Sequence, residues 1–328
     1  MRGSNVLLIQ LCAGLTAVLA ATQPAAAQPL KVVGFLKVIE MAPMDVAAET
    51  MPEGSVELAG GGIPSLWPGI VDPVAPSATK QAGDVPDLAG NAETQALRQS
   101  VQHPDLRIIL TITEGMYRMV ARKSSGIRSP ADLRGKRIAT VGSTSAAFYL
   151  HMMLARVGLS EADVTIVTGK AEEAARMLID GTADALAVWE PESERARQSL
   201  GTDAVEFEEF GVYRELYNLN ATATTLADPV KRRQTVAFVR ALIQACHEAT
   251  YEPARAQQLT ATRTGFDLDL IEAAWRHHHF ACTLPTDLLD ALTGEERWLA
   301  AQDGREPRDR AQLARLIDPS ILAEAQRD

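Results

Sequence analysis

The sequence predicts an α/β protein in which strands interleave with helices over the first two thirds of the chain and helices alone follow. Three observations carry this. From Leu30 to about Phe207, short apolar runs alternate with segments of helical periodicity. After Pro229 almost every window reads as helix. The 328 residues contain no long apolar segment beyond the N-terminus, and that length has room for two domains of common size.

The first 27 residues stand apart. Arg2 precedes an apolar run from Val6 to Ala21 and then QPAAAQP, with Ala25 and Ala27 at the two small-residue positions of a cleavage site. This is the pattern of an export leader spanning 1–27, and the run is short for a membrane span of about 20 residues. Gln10 and Leu11 stand before Cys12, where a lipoprotein signal needs small residues. Loss of a leader whose one charge is Arg2 moves the net charge from −10 to −11. An acidic chain of this kind lacks the basic face of a nucleic-acid binder.

Taken in order, LKVVGF (30–35) is the first strand and LRIILTIT (106–113) another. KRIATV (136–141) leads into STSAAFYLHMMLARVG, where Phe148, Met152 and Met153 share a helical face and Gly158 is a natural stop. DVTIV (163–167), a helix from about Ala171 to Asp180, and DALAV (184–188) continue the alternation. Such βαβ units imply a mainly parallel sheet covered on both sides. PVKRRQTVAFVRALIQACHEA opens the helical part with proline in the first turn. One segment resists: Gly60–Asp87 holds prolines 64, 68, 73, 76 and 86, a density that no helix or long strand survives. Its apolar members, Trp67 among them, suggest an ordered irregular loop lying over something.

Two cysteines, Cys246 and Cys282, lie outside the leader. Cys246 shares an apolar helical stripe with Val236, Val239 and Ile243, so a buried free thiol is the plainer expectation, with a disulfide as the alternative.

GIRSPADLRGKRIATVGSTSAAFYLHMMLARVGLSEADVTIV resembles the second-lobe opening of solute-binding proteins of ABC importers, in the group that takes aliphatic sulfonates, taurine, nitrate or thiamine-precursor pyrimidines. The similarity continues through EEAARMLIDGTADALAVWEPE and, more weakly, YNLNATATTLADPVKRRQTVAFVRALIQA. It covers most of the chain beyond the leader, and DLRGKRIA with the G-x-A-D-A element at Gly181–Ala185 is its most specific part. The Gly60–Asp87 segment departs from the pattern, which has a short helix there.

The resemblance implies a bilobal, periplasmic-binding-protein-like fold of type II. Two α/β lobes would be joined by a hinge that the chain crosses twice, with extra C-terminal helices. Lobe one would comprise 28–117 plus 219–328, and lobe two 118–218. It further implies capture of a small organic ligand by lobe closure in the periplasm, an inner-membrane ABC permease as partner, a monomer, and no cofactor, metal or nucleic acid.

In open α/β sheets ligands sit where strands give way to helices, and the candidate residues stand at such places. VGSTSAAF offers Ser143, Thr144 and Ser145 at a helix N-terminus, a ready anion site if not simple caps. DLAGNAETQAL offers Asn91 as a cap after a turn at Gly90, with Thr94 beside it. The strand DALAV ends on Trp189, which can cover a flat ligand or a cation, and Glu190, which can accept from an amine or hydroxyl. Glu40, Trp67 and Glu114 are similar edge positions, and Asn220 lies in the extended run that returns the chain.

These groups point in different directions. A micromolar complex needs about 8 kcal/mol and a helix terminus supplies at most about 2. A sulfonate or nitrate would therefore also need a cation such as Arg118, or burial on closure. The carboxylates fit a zwitterion, an amine-bearing ring or a polyhydroxylated molecule better, which leaves the ligand class open. His277–His279 read as part of a helix, on which neighbours diverge and cannot chelate. No H-E-x-x-H, C-x-x-C or G-x-S-x-G occurs. The rival expectations are an enzyme on the same fold and a sensing module for a membrane receptor.

Overall fold

The computed structural model describes residues 28–70, 85–208 and 211–327. The proposed leader, 71–84 of the proline-rich segment, and residues 209–210 of the second crossing lie outside them. Among the described residues no helix is long and apolar enough to cross a membrane.

The chain opens with β1 (Leu30–Gly34), α1 (Ala42–Thr50), β2 (Val56–Gly60), β3 (Leu88–Ala92), α2 (Glu93–Gln99) and β4 (Leu106–Met116). It then passes to β5 (Met119–Arg122), β6 (Arg137–Thr140), α3 (Ser145–Arg156), β7 (Thr165–Thr168), α4 (Ala171–Ile179), β8 (Ala185–Ala187), α5 (Glu192–Leu200) and β9 (Ala204–Phe207). β10 (Arg214–Thr222) leads to α6 (Ala223–Ala227), α7 (Pro229–Tyr251), α8 (Ala254–Thr264) and α9 (Leu268–Trp275). β11 (His278–His279), α10 (Leu288–Gln302), α11 (Arg310–Ala314) and α12 (Ser320–Ala325) complete it.

Two sheets result, in the orders β11-β4-β10-β3-β1-β2 and β7-β6-β8-β5-β9. The chain leaves the first after Met116 and joins the second at Met119, so only Tyr117 and Arg118 lie between. It returns between Phe207 and Arg214, earlier than the 218/219 boundary read from sequence. Each sheet is mixed rather than mainly parallel. β1 pairs in parallel with β2 and β3, and β6 with β7 and β8, while β10 and β5 run antiparallel to their neighbours. The strands that carry the crossings enter their new sheet head-on, which is why they break the parallel pattern.

Local chemistry accounts for the element ends. Asp228 caps α7 by accepting from the N–H groups of Val230 and Lys231 at 2.7 and 3.0 Å, with Pro229 where no N–H is needed. Thr144 caps α3 by accepting from Ala146 N–H at 3.2 Å. The turn expected at Gly90 is instead the middle of β3. Glycine is required there by close approach: a Cβ would stand 2.9 Å from the Tyr217 ring, whose hydroxyl donates to the Gly90 carbonyl at 3.0 Å.

Two expectations are corrected in the C-terminal part. Cys246 on α7 and Cys282 are joined by a disulfide, not free, because the chain after β11 folds back along the helix and brings their Cα atoms to 6.1 Å. The histidine run is not helical. α9 ends at Trp275, and His278–His279 form an edge strand on β4, opposite Gly115 and Glu114.

Candidate functional site

Between the two sheets meet the C-terminal end of β1, the β3–α2 junction, the first crossing, the start of α3 and the end of β8. The polar centre here is a pair of carboxyls. Glu40, after β1, is 1% exposed and Glu215, on β10, is 4% exposed. A Cβ placed on Gly115 would stand 3.4 Å from Glu40 Oε1 and 3.2 Å from Glu215 Oε2, so the two groups converge over that glycine. Glu215 Oε1 accepts from the hydroxyls of Tyr117 and Ser145, both at 2.9 Å, and those hydroxyls lie 2.9 Å from each other. Among the described residues no N–H or hydroxyl donates to Glu40 Oε2 or Glu215 Oε2, and the two carboxyls hydrogen-bond each other.

Burial pushes Glu215 well above the usual carboxyl range, helped by the charges of Glu40 and Glu93. Burial also pushes Glu40 up, but the bond and charge of His278 and the bond to Glu215 outweigh it and hold Glu40 below the ordinary value. The consistent description is a pair sharing one proton, Glu215 protonated and Glu40 ionised. His278 Nε2 lies 3.6 Å from Glu40 Oε1.

A second carboxyl pair flanks the first. Glu93, at the start of α2, accepts from the Tyr213 hydroxyl at 2.5 Å and from Leu216 N–H at 2.8 Å. Glu295 of α10 faces Glu93, with Thr94 beside it. Burial raises Glu93 to about 7, and raises Glu295 well above its ordinary range with help from the Glu93 charge. The rings of Tyr117, Tyr149, Tyr213 and Phe148 meet edge-on around these pairs, at centroid distances of 5.3 to 5.5 Å for three of the contacts.

At the crossing, Arg118 is 1% exposed and pairs with Glu190 at 2.8 Å, Glu194 at 2.6 Å and Glu206. Burial holds Glu190 up despite Arg118, whereas the bonds from Arg197 and Arg118 overcome burial and hold Glu194 at about 2. His277 beside them is pushed down to about 3 by burial and by Arg118 and Arg276, so it is neutral. A narrow pocket lined by Tyr117, Arg118, Tyr213 and His277 opens beside this cluster.

The sequence-predicted residues fall into groups. Glu40 and Ser145 meet at the central pair, and Thr94 at the flanking one. Trp189 follows β8, its ring set edge-on to that of Phe35, the residue after β1, at 6.1 Å, with Nε1 buried and without an acceptor among the described residues. Ser143 has a left-handed backbone (φ 61°), and its carbonyl accepts from Gln95 of α2 at 3.1 Å, a bridge between the lobes. Thr144 is the α3 cap, its hydroxyl also donating to the Val141 carbonyl at 2.7 Å. Glu190 is bound into the Arg118 cluster. Glu114 faces His279 at 3.2 Å and Arg214 at 3.6 Å, to the side.

Three are placed elsewhere or differently. Asn91 caps nothing, since α2 begins after Ala92, and its Oδ1 accepts from the adjacent Ala92 N–H at 2.9 Å. Trp67 stacks on His103 at 3.9 Å, against the core on the other side of the first sheet. Asn220 sits within that sheet, donating to the carbonyls of Ala89 and Asn218 at 3.1 and 3.0 Å. Arg118, expected as a possible anion partner, already serves three carboxylates.

Sequence reasoning missed Glu215, Tyr117, Tyr213, His278 and Glu295. Tyr117 was findable, because it adjoins the crossing. Glu215 stands at the polar start of RELYNLN and reads as a solvated strand end.

Solved structures with this architecture include the alkanesulfonate-binding protein SsuA from Xanthomonas axonopodis pv. citri bound to MOPS. It is 20% identical, with a TM-score of 0.66 over 90% of this chain and 99% of that one. The periplasmic nitrate-binding protein NrtA from Synechocystis PCC 6803 is 11% identical, with a TM-score of 0.67 over 92% and 88%. The desulfurization enzyme DszB is 15% identical, with a TM-score of 0.58 over 90% and 98%. At these identities the likeness is one of fold: two mixed α/β sheets in the bilobal binding-protein arrangement. No curated protein sequence matches the chain. A family profile described as NMT1/THI5 like matches residues 70–256, more than half of the sequence, and the chain belongs to that family.

Proposed function

We propose that the protein is the solute-capturing component of an ABC importer, working in the periplasm after removal of 1–27. A small organic molecule enters the groove, the lobes close on it by bending at the crossing through Tyr117–Arg118, and the closed form is presented to a membrane permease. One observation carries the reading: buried polar groups from both lobes, Glu40 and Glu215 on one side and Ser145 on the other, converge where strands give way to helices. In an enclosed site such groups exchange their internal partners for a ligand's, and closure is driven by the ligand's preference for the closed state. Ser145, Glu40, Thr94 and Trp189 are our assigned ligand-facing residues, with Ser143 and Thr144 shaping the start of α3.

The DszB fold neighbours favour a second reading, an enzyme. Ser145 donates to the Glu215 carboxyl, but burial and the charges of Glu40 and Glu93 disfavour the ionised form of Glu215 that a base needs. We therefore read the site as binding rather than catalytic. A thermal-shift screen of small metabolites, followed by scattering and a turnover assay on each hit, tests this. The expected result is a hit that raises the melting temperature, compacts the molecule and leaves unchanged. Conversion of the hit to product would establish the enzyme, and a hit without compaction would reject capture by closure.

A further inference from the structure

We propose that the groove selects an organic cation, a small molecule bearing an ammonium or amidinium group, whose N–H donors are taken by the Glu40–Glu215 carboxyl pair. The inference rests on the capture reading above and names the ligand class for that site.

The first argument is what stands at the helix opening where an anionic headgroup would dock. The α3 N-terminus offers Ser145 as a donor, yet that hydroxyl is already given to Glu215 Oε1, as is the Tyr117 hydroxyl, both at 2.9 Å. The Thr144 hydroxyl is spent on the Val141 carbonyl at 2.7 Å. A carboxyl of the protein therefore occupies the acceptor place that a sulfonate or nitrate oxygen needs. An entering anion would have to displace it and then lie against Glu40, at a cost of repulsion in a site shielded from water.

The second argument is what holds the two carboxyls together. They converge over the bare backbone of Gly115, and among the described residues no N–H or hydroxyl donates to Glu40 Oε2 or Glu215 Oε2, so only a shared proton joins them. One ligand nitrogen with two or more N–H groups satisfies both and releases the proton that the pair shares.

The third is the charge facing the pair from every packed element. His278 on β11 lies 3.6 Å from Glu40, Glu93 on α2 adds a further acidic group, Tyr117 of the crossing and Ser145 of α3 contribute hydroxyls, and the Arg118 guanidinium of the crossing is bound to Glu190, Glu194 and Glu206 instead. Among the described residues no lysine or arginine pairs with Glu40, Glu215, Glu93 or Glu295. Arg214, which favours the charged form of Glu93 at longer range, is itself bound to Asp287 at 2.9 Å and to Glu114 at 3.6 Å. Trp189 and Phe35 meet edge-on at 6.1 Å where β8 and β1 end, aromatic rings of the kind that suit a cation.

The test is calorimetric titration of the isolated protein with benzamidine and, as a matched ring of opposite charge, benzenesulfonate. Benzamidinium is expected to bind at least about tenfold more tightly than benzenesulfonate. Its affinity should rise with pH as the raised Glu215 carboxyl gives up its proton, with a proton released on binding and read as a buffer-dependent heat. Glu215→Gln, which keeps the acceptor for Tyr117 and Ser145, should weaken benzamidinium about tenfold or more. If that variant does not fold, the pH dependence of the unaltered protein decides. Equal or tighter binding of benzenesulfonate overturns the cation and leaves capture standing. A benzamidinium affinity that ignores both pH and Glu215→Gln, or no saturable benzamidinium binding at all, also overturns it, while the metabolite screen decides separately on capture.

Discussion

Two clusters of buried acid lie within one molecule, and they are neutralised in opposite ways. At the crossing, Glu190, Glu194 and Glu206 surround Arg118, whose three guanidinium nitrogens each meet a carboxylate. In the groove, Glu40 with Glu215 and Glu93 with Glu295 face one another with shared protons in place of cations. The first arrangement is complete and cannot be exchanged, as a pivot between lobes requires. The second is provisional, because a proton can leave and a ligand donor can replace it. On the capture reading, fixed charge compensation belongs to the part that holds the fold, and exchangeable compensation to the part proposed to meet the solute.

The largest test of this contrast is Arg118→Ala. It removes the only guanidinium bound to the buried Glu190 among the described residues and one partner each of Glu194 and Glu206, which keep Arg197, and should cost about 3 kcal/mol of stability in urea unfolding. A loss near zero would mean that the crossing is not pinned by charge. Trp189→Ala comes next: ligand affinity should fall about tenfold or more, about 1.4 kcal/mol, with the fold retained by circular dichroism. Unchanged affinity would remove Trp189 from the site.

Ser145→Ala should cost about 1 kcal/mol, since it deletes one of two donors to Glu215 while Tyr117 remains. Glu295→Gln is expected to change stability at pH 5 by less than about 0.5 kcal/mol, because burial favours the neutral acid, for which glutamine is an isostere. Its effect should appear as pH rises. Glu295 and Glu93 both have folded values above the unfolded value of 4.5, Glu93 at about 7. The native state therefore binds more protons than the unfolded one, and stability falls as pH climbs from 4.5 through the folded values. The variant should show a shallower decline than the parent in thermal unfolding between pH 5 and 9; an identical decline would deny the second pair its shared proton.

What the sequence disclosed follows the same division. The second lobe was legible because its strands end cleanly. KRIATV runs into a glycine and a Ser/Thr cap, and DALAV runs into Trp189, so strand ends and helix starts announced themselves. The first lobe was harder. Gly90 reads as a turn, but it is a strand glycine demanded by the ring of Tyr217, a contact 127 residues away. His278 was concealed because Trp275 and the histidines continue a helical pattern, which the disulfide between Cys246 and Cys282 and pairing with β4 override. Glu215 looked solvated because charge at a strand end usually is; here a neighbouring carboxyl and two hydroxyls bury it.

The central claim is that the groove centred on Glu40, Glu215 and Ser145 holds one small molecule, and a native mass spectrum of the protein recovered gently from cells tests it most directly. The account predicts a population carrying a single added mass of a few hundred daltons or less, about the size such pockets hold. That mass should disappear in Ser145→Trp, which fills the groove. A spectrum in which the added mass persists unchanged in that variant would contradict the account.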